Sequence, residues 1–162
     1  MVNTNSINKL LLKHFRIEGA VNIDPETGVV DVKGRISMKK QAPQFPVKFG
    51  TVTGSFHCDN MGLTTLEGGP THVGGSCYCF QNPLRDLNGL AAHVGSILTL
   101  SYDPELPLLR VMNLGIWQFY PSNIKATIVG EILKANEGKG KAGTLKAAIE
   151  LMQHGYKANA RW

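Results

Sequence analysis

The sequence lacks long apolar runs, has few cysteines and carries no strong excess of charge. No apolar run approaches the roughly 18 residues that a transmembrane helix needs, so a membrane span is not expected. Cys58, Cys77 and Cys79 are odd in number, and the apolar stretch in the opening MVNTNSINKLLLKHF is too short for a signal-peptide core. These absences favour a reducing cytoplasm over a secreted or membrane location.

What is abundant is glycine, with 18 residues in a chain of 162, which is typical of many tight turns. A hydrophobic fraction of 43% and a charged fraction of 18% are ordinary for a globular protein, and the length suits one domain. Seventeen Lys and Arg against twelve Asp and Glu give a formal charge of +5. That excess favours an acidic partner but does not by itself indicate nucleic acid.

A repeat of 21 residues sets the predicted architecture. Successive units begin at Val52, Val73 and Val94, and read VTGSFHCDNMGLTTLEGGPTH, VGGSCYCFQNPLRDLNGLAAH and VGSILTLSYDPELPLLRVMNL. A divergent unit, VKGRISMKKQAPQFPVKFGT, begins at Val32 and is one residue shorter. Aligned apolar columns are Val52, Val73 and Val94; Phe56, Cys77 and Leu98; Cys58, Cys79 and Leu100; Leu63 and Leu84; and Leu66, Leu87 and Leu108.

Residues 32–111 resemble the short bacterial type of leucine-rich repeat, L-x-x-L-x-L-x-x-N-x-L-x-x-L. Met61, Asn82 and Asp103 occupy the asparagine position, where only Asn82 is the usual residue. The resemblance implies stacked rungs, each with a short strand in a parallel sheet. Because side chains alternate along a strand, Phe56 and Cys58 should point inward and His57 outward.

Residues 1–31 are predicted to form an N-terminal cap. RIEGAVNI and VVDVKGRISM flank the turn-forming DPETG, which indicates a β-hairpin. The preceding SINKLLLKHF favours a short helix with Ser6 as N-cap.

Residues 112–162 are predicted to form a C-terminal cap of two helices. Ser122 is the expected N-cap of the first helix, and the second is expected to begin at Thr144. The apolar face of the first is Ile124, Ile128, Val129, Ile132 and Leu133, and that of the second is Leu145, Ala148, Ile149, Met152 and Tyr156. The predicted fold class is therefore an α/β repeat in one domain, residues 1–162, with a short leucine-rich-repeat-like solenoid of about four repeats between a β-hairpin cap and two C-terminal helices.

Two motifs offer chemistry and are weighed against simpler interpretations. Gly138, Gly140 and Gly143 match G-x-G-x-x-G, but they follow a predicted helix instead of a strand, which favours a helix–helix turn over a phosphate site. The three cysteines could form a thiolate metal site, yet their columns also hold Leu98 and Leu100, which favours buried core thiols.

His72 and His93 lie one repeat apart and should stack at about 5 Å. A turn feature is favoured over a metal or catalytic pair, because neither a carboxylate nor a third histidine shares the column. No paired carboxylates or Ser-His-Asp arrangement can be assigned. The sequence thus predicts no catalytic residue, no metal, no cofactor and no enzymatic activity, although a site assembled by folding stays open.

The predicted functional surface is the outward strand face, with Tyr78 and Phe80 as anchors for a protein partner. Two alternatives stay open: the terminal helices cover these rings, or the rings lie on the surface without a binding role. The predicted partner-binding residues are Arg35, Lys39, His57, Asp59, Tyr78, Phe80, Thr99 and Tyr102. A second hypothesis is nucleic-acid binding by the basic C-terminal residues Lys134, Lys139, Lys141 and Lys146. The oligomeric state stays open.

The ending GKGKAGTLKAAIELMQHGYKANARW resembles the C-termini of repeat proteins of tailed bacteriophages, including T-even-like phages. That resemblance implies a viral protein in the cytoplasm of an infected bacterium, where it binds a host protein to blunt a defence or redirect host machinery. One function within the resemblance is that of an anti-DarT factor, which neutralises an ADP-ribosyltransferase toxin that modifies DNA.

Overall fold

A computed structural model describes residues 2–162 and shows a parallel β-solenoid of about four turns with three helices. The elements in chain order are α1 (Thr4–His14), β1 (Phe15–Ile23), β2 (Val30–Met38), β3 (Phe49–Val52), β4 (Phe56–His57), β5 (His72–Val73), β6 (Cys77–Tyr78), β7 (His93–Val94), β8 (Ile97–Leu100), a 3-10 helix (Leu109–Asn113), β9 (Ile116–Phe119), α2 (Ile124–Asn136) and α3 (Gly140–Gln153).

The strands form two parallel ladders that share β2. The first runs β2, β3, β5, β7, and the second runs β2, β4, β6, β8, β9. Val52 pairs with Val73 and Val73 with Val94, so the columns read from the sequence stack in register. Phe56, Cys77 and Leu98 align in the same way on the second ladder. The solenoid and its 21-residue register are therefore confirmed.

Each turn bends between its two strands at glycine. The backbone N–H of Gly54 donates to the carbonyl of Gly34, and that of Gly75 donates to Gly54, both at 2.9 Å. A Cβ at Gly74 would lie 2.3 Å from the carbonyl oxygen of Thr53. At Gly74 the neighbouring turn therefore approaches too closely for a side chain, which explains the glycine at this position.

The core runs through the middle of the stack. Every residue of the aligned apolar columns is at most 7% exposed. At the N-terminal end, Phe45 packs edge-on against Phe49 and Phe56, with ring centroids 6.2 and 5.5 Å apart. A single turn could not shield such side chains, so the core exists only because turns stack.

Asn82 links two successive turns through its buried side chain. Its Oδ1 accepts hydrogen bonds from the backbone N–H groups of Met61 (2.9 Å) and Leu63 (3.1 Å). Its Nδ2 donates to the carbonyls of Cys58 (2.8 Å) and Cys79 (3.0 Å). Asn82, which stands at the asparagine position of the repeat pattern, thus supplies hydrogen bonds to buried backbone groups outside the strand ladders.

At the N-terminal end, β1 pairs antiparallel with β2 along nine residue pairs. In the connecting turn, Asp24 Oδ1 accepts from the N–H groups of Glu26 and Thr27, each at 2.8 Å, and these bonds lower the pKa of Asp24. Helix α1 begins earlier than expected. Its N-cap is Asn3, whose side chain accepts from the N–H of Ser6, so the prediction of Ser6 as N-cap is wrong.

The second ladder continues beyond Val111, where the sequence repeat was predicted to end. Strand β9 pairs parallel with β8, and Trp117 lies in register with Leu98 as a buried residue. These partners are 19 residues apart instead of 21, so the sequence columns could not be extended to them.

The C-terminal helices differ from expectation in their caps and buried faces. Asn123 caps α2 by accepting from the N–H of Ala126, where Ser122 was predicted. Val129 and Leu133 are buried as predicted, but Ile124 is 74% exposed.

Helix α3 begins at Gly140 instead of Thr144, and the apolar face predicted for it is only partly right. Ala148 and Tyr156 pack against the core, partly buried. Leu145, Ile149 and Met152 are exposed, and the residues buried in α3 are Gly143, Ala147 and Leu151. The reason is steric, because α3 packs so close to α2 that a Cβ at Gly143 would lie 2.2 Å from the carbonyl oxygen of Asn136.

The segment after α3 returns to the solenoid through Asn159, which is fully buried. Its Nδ2 donates to the carbonyls of Asp103 (3.0 Å) and Leu106 (2.8 Å), and its own carbonyl accepts from the N–H of Leu108 (3.2 Å). Asn159 therefore supplies hydrogen bonds to backbone groups of the last turn. In that turn Asp103 stands at the position where the repeat pattern has asparagine. Within residues 2–162, no helix combines the length and the apolar character needed to cross a membrane.

We expect Asn82→Ala to lower the free energy of unfolding by about 2–4 kcal/mol, because it leaves several buried backbone donors and acceptors unpaired. Urea titration followed by circular dichroism measures the change. Asn88→Ala, at an exposed asparagine in the same turn, is the matched control. Equal stability of the two variants would contradict this role of Asn82.

Candidate partner-binding face

The outward residues of the second ladder form one column. In register across β2, β4, β6, β8 and β9, they are Ser37, His57, Tyr78, Thr99 and Gln118. The alternation predicted from the repeat places their strand neighbours Phe56, Cys77 and Leu98 inside.

His57 and Tyr78 stack on this surface. Their ring centroids are 4.4 Å apart with an interplanar angle of 25°. His57 Nδ1 lies 3.9 Å from Asp59 Oδ1. Partial burial, and then the positive charge of Arg35, lower the pKa of His57, while Asp59 opposes this shift. A neutral imidazole stacked on a phenol is thus the favoured state of this pair.

A second aromatic pair joins the turns on either side of β8. Phe80 and Tyr120 meet edge-on with centroids 4.9 Å apart, and Tyr120 is 50% exposed. Between them, Ser101 Oγ accepts from the N–H of Gln81 (2.7 Å) and donates to the carbonyl of Tyr120 (2.9 Å). We name His57, Tyr78, Phe80 and Tyr120 the aromatic face.

Tyr120 was missed by reasoning from sequence because it follows β9, which lies outside the 21-residue columns. The available signal was the aromatic-rich stretch IWQFY, in which Trp117 and Phe119 alternate with Gln118 as in a strand.

Of the other residues predicted to bind a partner, Arg35 and Lys39 are exposed and Asp59 is half-buried. The expected exposure of Thr99 is wrong, because only 2% of this residue is accessible between its register neighbours Tyr78 and Gln118.

Tyr102 does not belong to the aromatic face. Its hydroxyl donates to Asn159 Oδ1 at 3.2 Å, and its ring lies edge-on to Phe119, with centroids 5.8 Å apart. Tyr102 therefore holds the segment after α3 against the solenoid.

The four lysines predicted to contact nucleic acid are all exposed, but three have partners within the chain. Lys134 Nζ lies 5.2 Å from the ring centroid of Trp117, Lys139 Nζ donates to the carbonyl of Ala135, and Lys146 Nζ lies 3.8 Å from Glu150. Lys141 borders a groove beside α3.

All three thiols are buried, as expected for core cysteines, and Cys79 Sγ lies 3.4 Å from both Cys58 Sγ and Cys77 Sγ. Burial raises the pKa of Cys58, and contact with the neighbouring thiol together with burial raises the pKa values of Cys77 and Cys79. Protonated, inaccessible thiols are poor nucleophiles and poor metal ligands.

The histidines of the first ladder stack as the register predicts. His72 and His93 have ring centroids 4.4 Å apart, and Thr51 is the next residue of their column. In the part of the chain that the structure describes, no three His, Cys, Asp or Glu side chains are grouped to hold a metal ion.

The lowered pKa of His57 has a consequence for stability. Below pH 6.5 the unfolded chain protonates this histidine more readily than the folded one does. The contribution of His57 to stability is therefore fully present above pH 6.5 and is lost as the pH falls through the folded-state pKa. Burial also lowers the pKa of His14, so His57→Gln should weaken this pH dependence without abolishing it.

The measurement is the urea midpoint across the range from neutral to mildly acidic pH. His154→Gln, at an exposed position after α3, should behave like the wild type. An unchanged pH dependence in His57→Gln would contradict a neutral, stacked imidazole.

No protein-family model matches this chain, and no curated protein and no solved structure matches it.

Proposed function

We propose that this protein is a non-catalytic binding scaffold that engages a partner protein through its aromatic face. The observation that carries the proposal is the pair of ring contacts, His57 with Tyr78 and Phe80 with Tyr120, on the outward side of a rigid parallel sheet. Tyrosine is enriched at the energetic centres of protein interfaces because its ring buries apolar area while its hydroxyl makes a hydrogen bond.

Pre-ordering favours this face for binding. Each ring is held by a neighbour from another turn of the solenoid, and the turns are locked by backbone hydrogen bonds such as Tyr120 N–H to the Leu100 carbonyl at 2.7 Å. Fewer side-chain rotations are therefore lost when a partner docks, which improves affinity for a given contact area.

Charged side chains border the aromatic face. Arg35 and Lys39 lie along and just beyond β2, and Asp59 follows β4 on the neighbouring turn. Such rim charges contribute mainly to association rate and specificity, whereas the central rings supply affinity. The partner we propose carries carboxylates opposite Arg35 and Lys39.

We also propose that the solenoid is of the leucine-rich-repeat type and that the β1–β2 pair caps its N-terminal end. The buried hydrogen bonds of Asn82 support the first proposal, since the repeat pattern reserves that position for asparagine. The antiparallel pairing of β1 along the full length of β2 supports the second.

The resemblance of residues 138–162 to phage repeat proteins extends the proposal to a source and a target. In this form the chain is a phage protein in the cytoplasm of an infected bacterium and inhibits a host defence factor such as a DNA-modifying ADP-ribosyltransferase toxin. The toxin target is rejected if immobilised wild-type protein does not retain that purified toxin.

Tyr78→Ser/Phe80→Ser should lose the partner because it removes two anchors while leaving the buried columns intact. Loss of one such anchor typically costs about 2 kcal/mol, or roughly 30-fold in affinity, so the double variant should retain no partner. The measurement is a tagged-protein pull-down from bacterial lysate read by mass spectrometry, with thermal unfolding by circular dichroism to verify the fold.

The matched control is His72→Ser/His93→Ser, which removes a stacked pair of exposed rings from the first ladder. It should retain the partner at wild-type stoichiometry. Retention by the Tyr78/Phe80 variant, or equal loss in both variants, would contradict binding by the aromatic face.

Nucleic-acid binding is the second candidate, favoured by the charge of +5 and by the exposure of Lys134, Lys139, Lys141 and Lys146. Phosphate contacts release counterions, so the affinity for a labelled oligonucleotide should fall steeply between low and physiological salt. Changing all four lysines to Gln should flatten that slope. Fluorescence anisotropy measures the affinity of the wild type and of the variant at each salt concentration. An oligonucleotide bound equally tightly at low and physiological salt would exclude binding through phosphate contacts.

A further inference from the structure

Strand β9 ends the second ladder, and no strand lies along its far edge. Within residues 2–162, β9 pairs only with β8. The N–H of Tyr120 donates to the carbonyl of Leu100 at 2.7 Å, and alternate residues of a parallel strand direct their backbone groups to the same side. Gln118 therefore faces β8 as Tyr120 does. The N–H and carbonyl groups of Trp117 and Phe119 point away from β8 and form no hydrogen bond with the part of the chain that the structure describes.

The unpaired edge opens into a groove of about 360 Å³ between β9 and α2. The strand side of the groove is Trp117, Gln118 and Phe119, and the helix side includes Gly130 and Glu131. Side chains alternate along a strand, so Gln118 projects from the face opposite to Trp117 and Phe119. A space that touches all three residues, with β8 on one edge, lies along the other edge. The groove therefore occupies the position of a further strand in the ladder.

Helix α2 borders this edge without pairing to it. Natural proteins often protect a free strand edge with a helix or a loop. Here α2 presents Gly130 to the groove, and a Cβ added there would lie 3.9 Å from the rings of Trp117 and Phe119, which is ordinary van der Waals contact. The helix cannot complete the ladder, since its own backbone N–H and carbonyl groups bond within the helix. The edge beside Gly130 thus stays open.

The groove also carries one unpaired charge. Glu131 and Lys134 border it from α2, and both are exposed. The Nζ atom of Lys134 lies 5.2 Å from the ring centroid of Trp117, whereas Glu131 has no ion pair within residues 2–162. A carboxylate bound by Lys or Arg accepts a charge-assisted hydrogen bond, which is stronger than a neutral one. A basic side chain is therefore the complement of this groove.

We propose that β9 and α2 form a second binding site, which takes an extended, basic segment of a partner protein as an added strand. The backbone groups of Trp117 and Phe119 select an extended chain, because only such a chain presents N–H and carbonyl groups at the matching spacing. Glu131 binds a Lys or Arg side chain of that segment. The four residues of β9 span roughly 13 Å, so a short segment covers the edge.

Selection from a displayed library of random short peptides on the immobilised full chain tests this site. The enriched peptides should be rich in β-branched residues, which favour extended chains, and should carry Lys or Arg. Fluorescence anisotropy then measures the affinity of the most enriched peptide. Glu131→Lys should weaken its binding roughly tenfold, because a charge-assisted hydrogen bond is lost and a like charge is introduced. Glu26→Lys makes the same charge change in the exposed turn after β1 and should bind like the wild type.

A second pair of variants changes the shape of the groove and leaves its charge unaltered. Gly130→Leu should abolish binding because its side chain fills the groove. Gly130→Ala should retain binding because it adds only the Cβ that the neighbouring rings accommodate. Thermal unfolding by circular dichroism verifies the fold of each variant, and the exposed Glu131→Lys variant gives the decisive comparison if Gly130→Leu does not fold.

Amide hydrogen exchange followed by NMR locates the peptide on the strand. The N–H groups of Trp117 and Phe119 should exchange quickly in the free protein and slowly in the complex, whereas Gln118 and Tyr120 are protected by β8 in both. Protection of Trp117 and Phe119 that appears without peptide as the protein concentration rises would assign the edge to a second copy and overturn the proposal.

Three further outcomes would overturn it: a library that yields no enriched peptide, peptides that bind Glu131→Lys as tightly as the wild type, and exchange at Trp117 and Phe119 that the peptide leaves unchanged. Tyr78→Ser/Phe80→Ser should bind the peptide like the wild type. The aromatic face and this groove are therefore tested separately, and either one fails without the other.

Discussion

The parallel register between successive turns is the constraint on which the rest of this structure depends. Val52, Val73 and Val94 stack because every turn repeats the same backbone hydrogen bonds to the turn before it. That register places equivalent residues of successive turns next to each other. Glycines therefore lie against carbonyl groups at the bends, leucines and cysteines fill the interior, and outward rings stack. A slip of one residue would turn the apolar columns outward, so the buried core and the exposed face are specified together.

The aromatic face follows from the register of the parallel strands. One outward column brings His57 against Tyr78, and the next brings Phe80 to Tyr120 across Ser101. The same alternation buries the thiols, where neighbouring sulfurs and an apolar surrounding keep them protonated. The chemistry of each residue thus follows from which side of the strand it occupies.

The sequence was informative wherever the period was intact. Columns from Val52 to Leu100 predicted the core and the stacked histidines, because apolar spacing and stacking are properties of residues a fixed distance apart. Prediction failed where contacts between residues outside the repeat columns determine the position or burial of a residue. Strand β9 follows after 19 residues, Thr99 is covered by its neighbours, and α3 exposes most of the face predicted to be buried because a glycine permits close packing with α2.

The contact made by Asn159 changes how this solenoid holds together. Most turns touch only their neighbours, so a solenoid can loosen one turn at a time from an open end. Here Asn159 bonds to backbone groups 53 and 56 residues earlier in the chain. The final turn, β9 and both C-terminal helices are enclosed in that loop. Loosening this end of the solenoid therefore also requires breaking the hydrogen bonds of Asn159, which opposes fraying of the last turn.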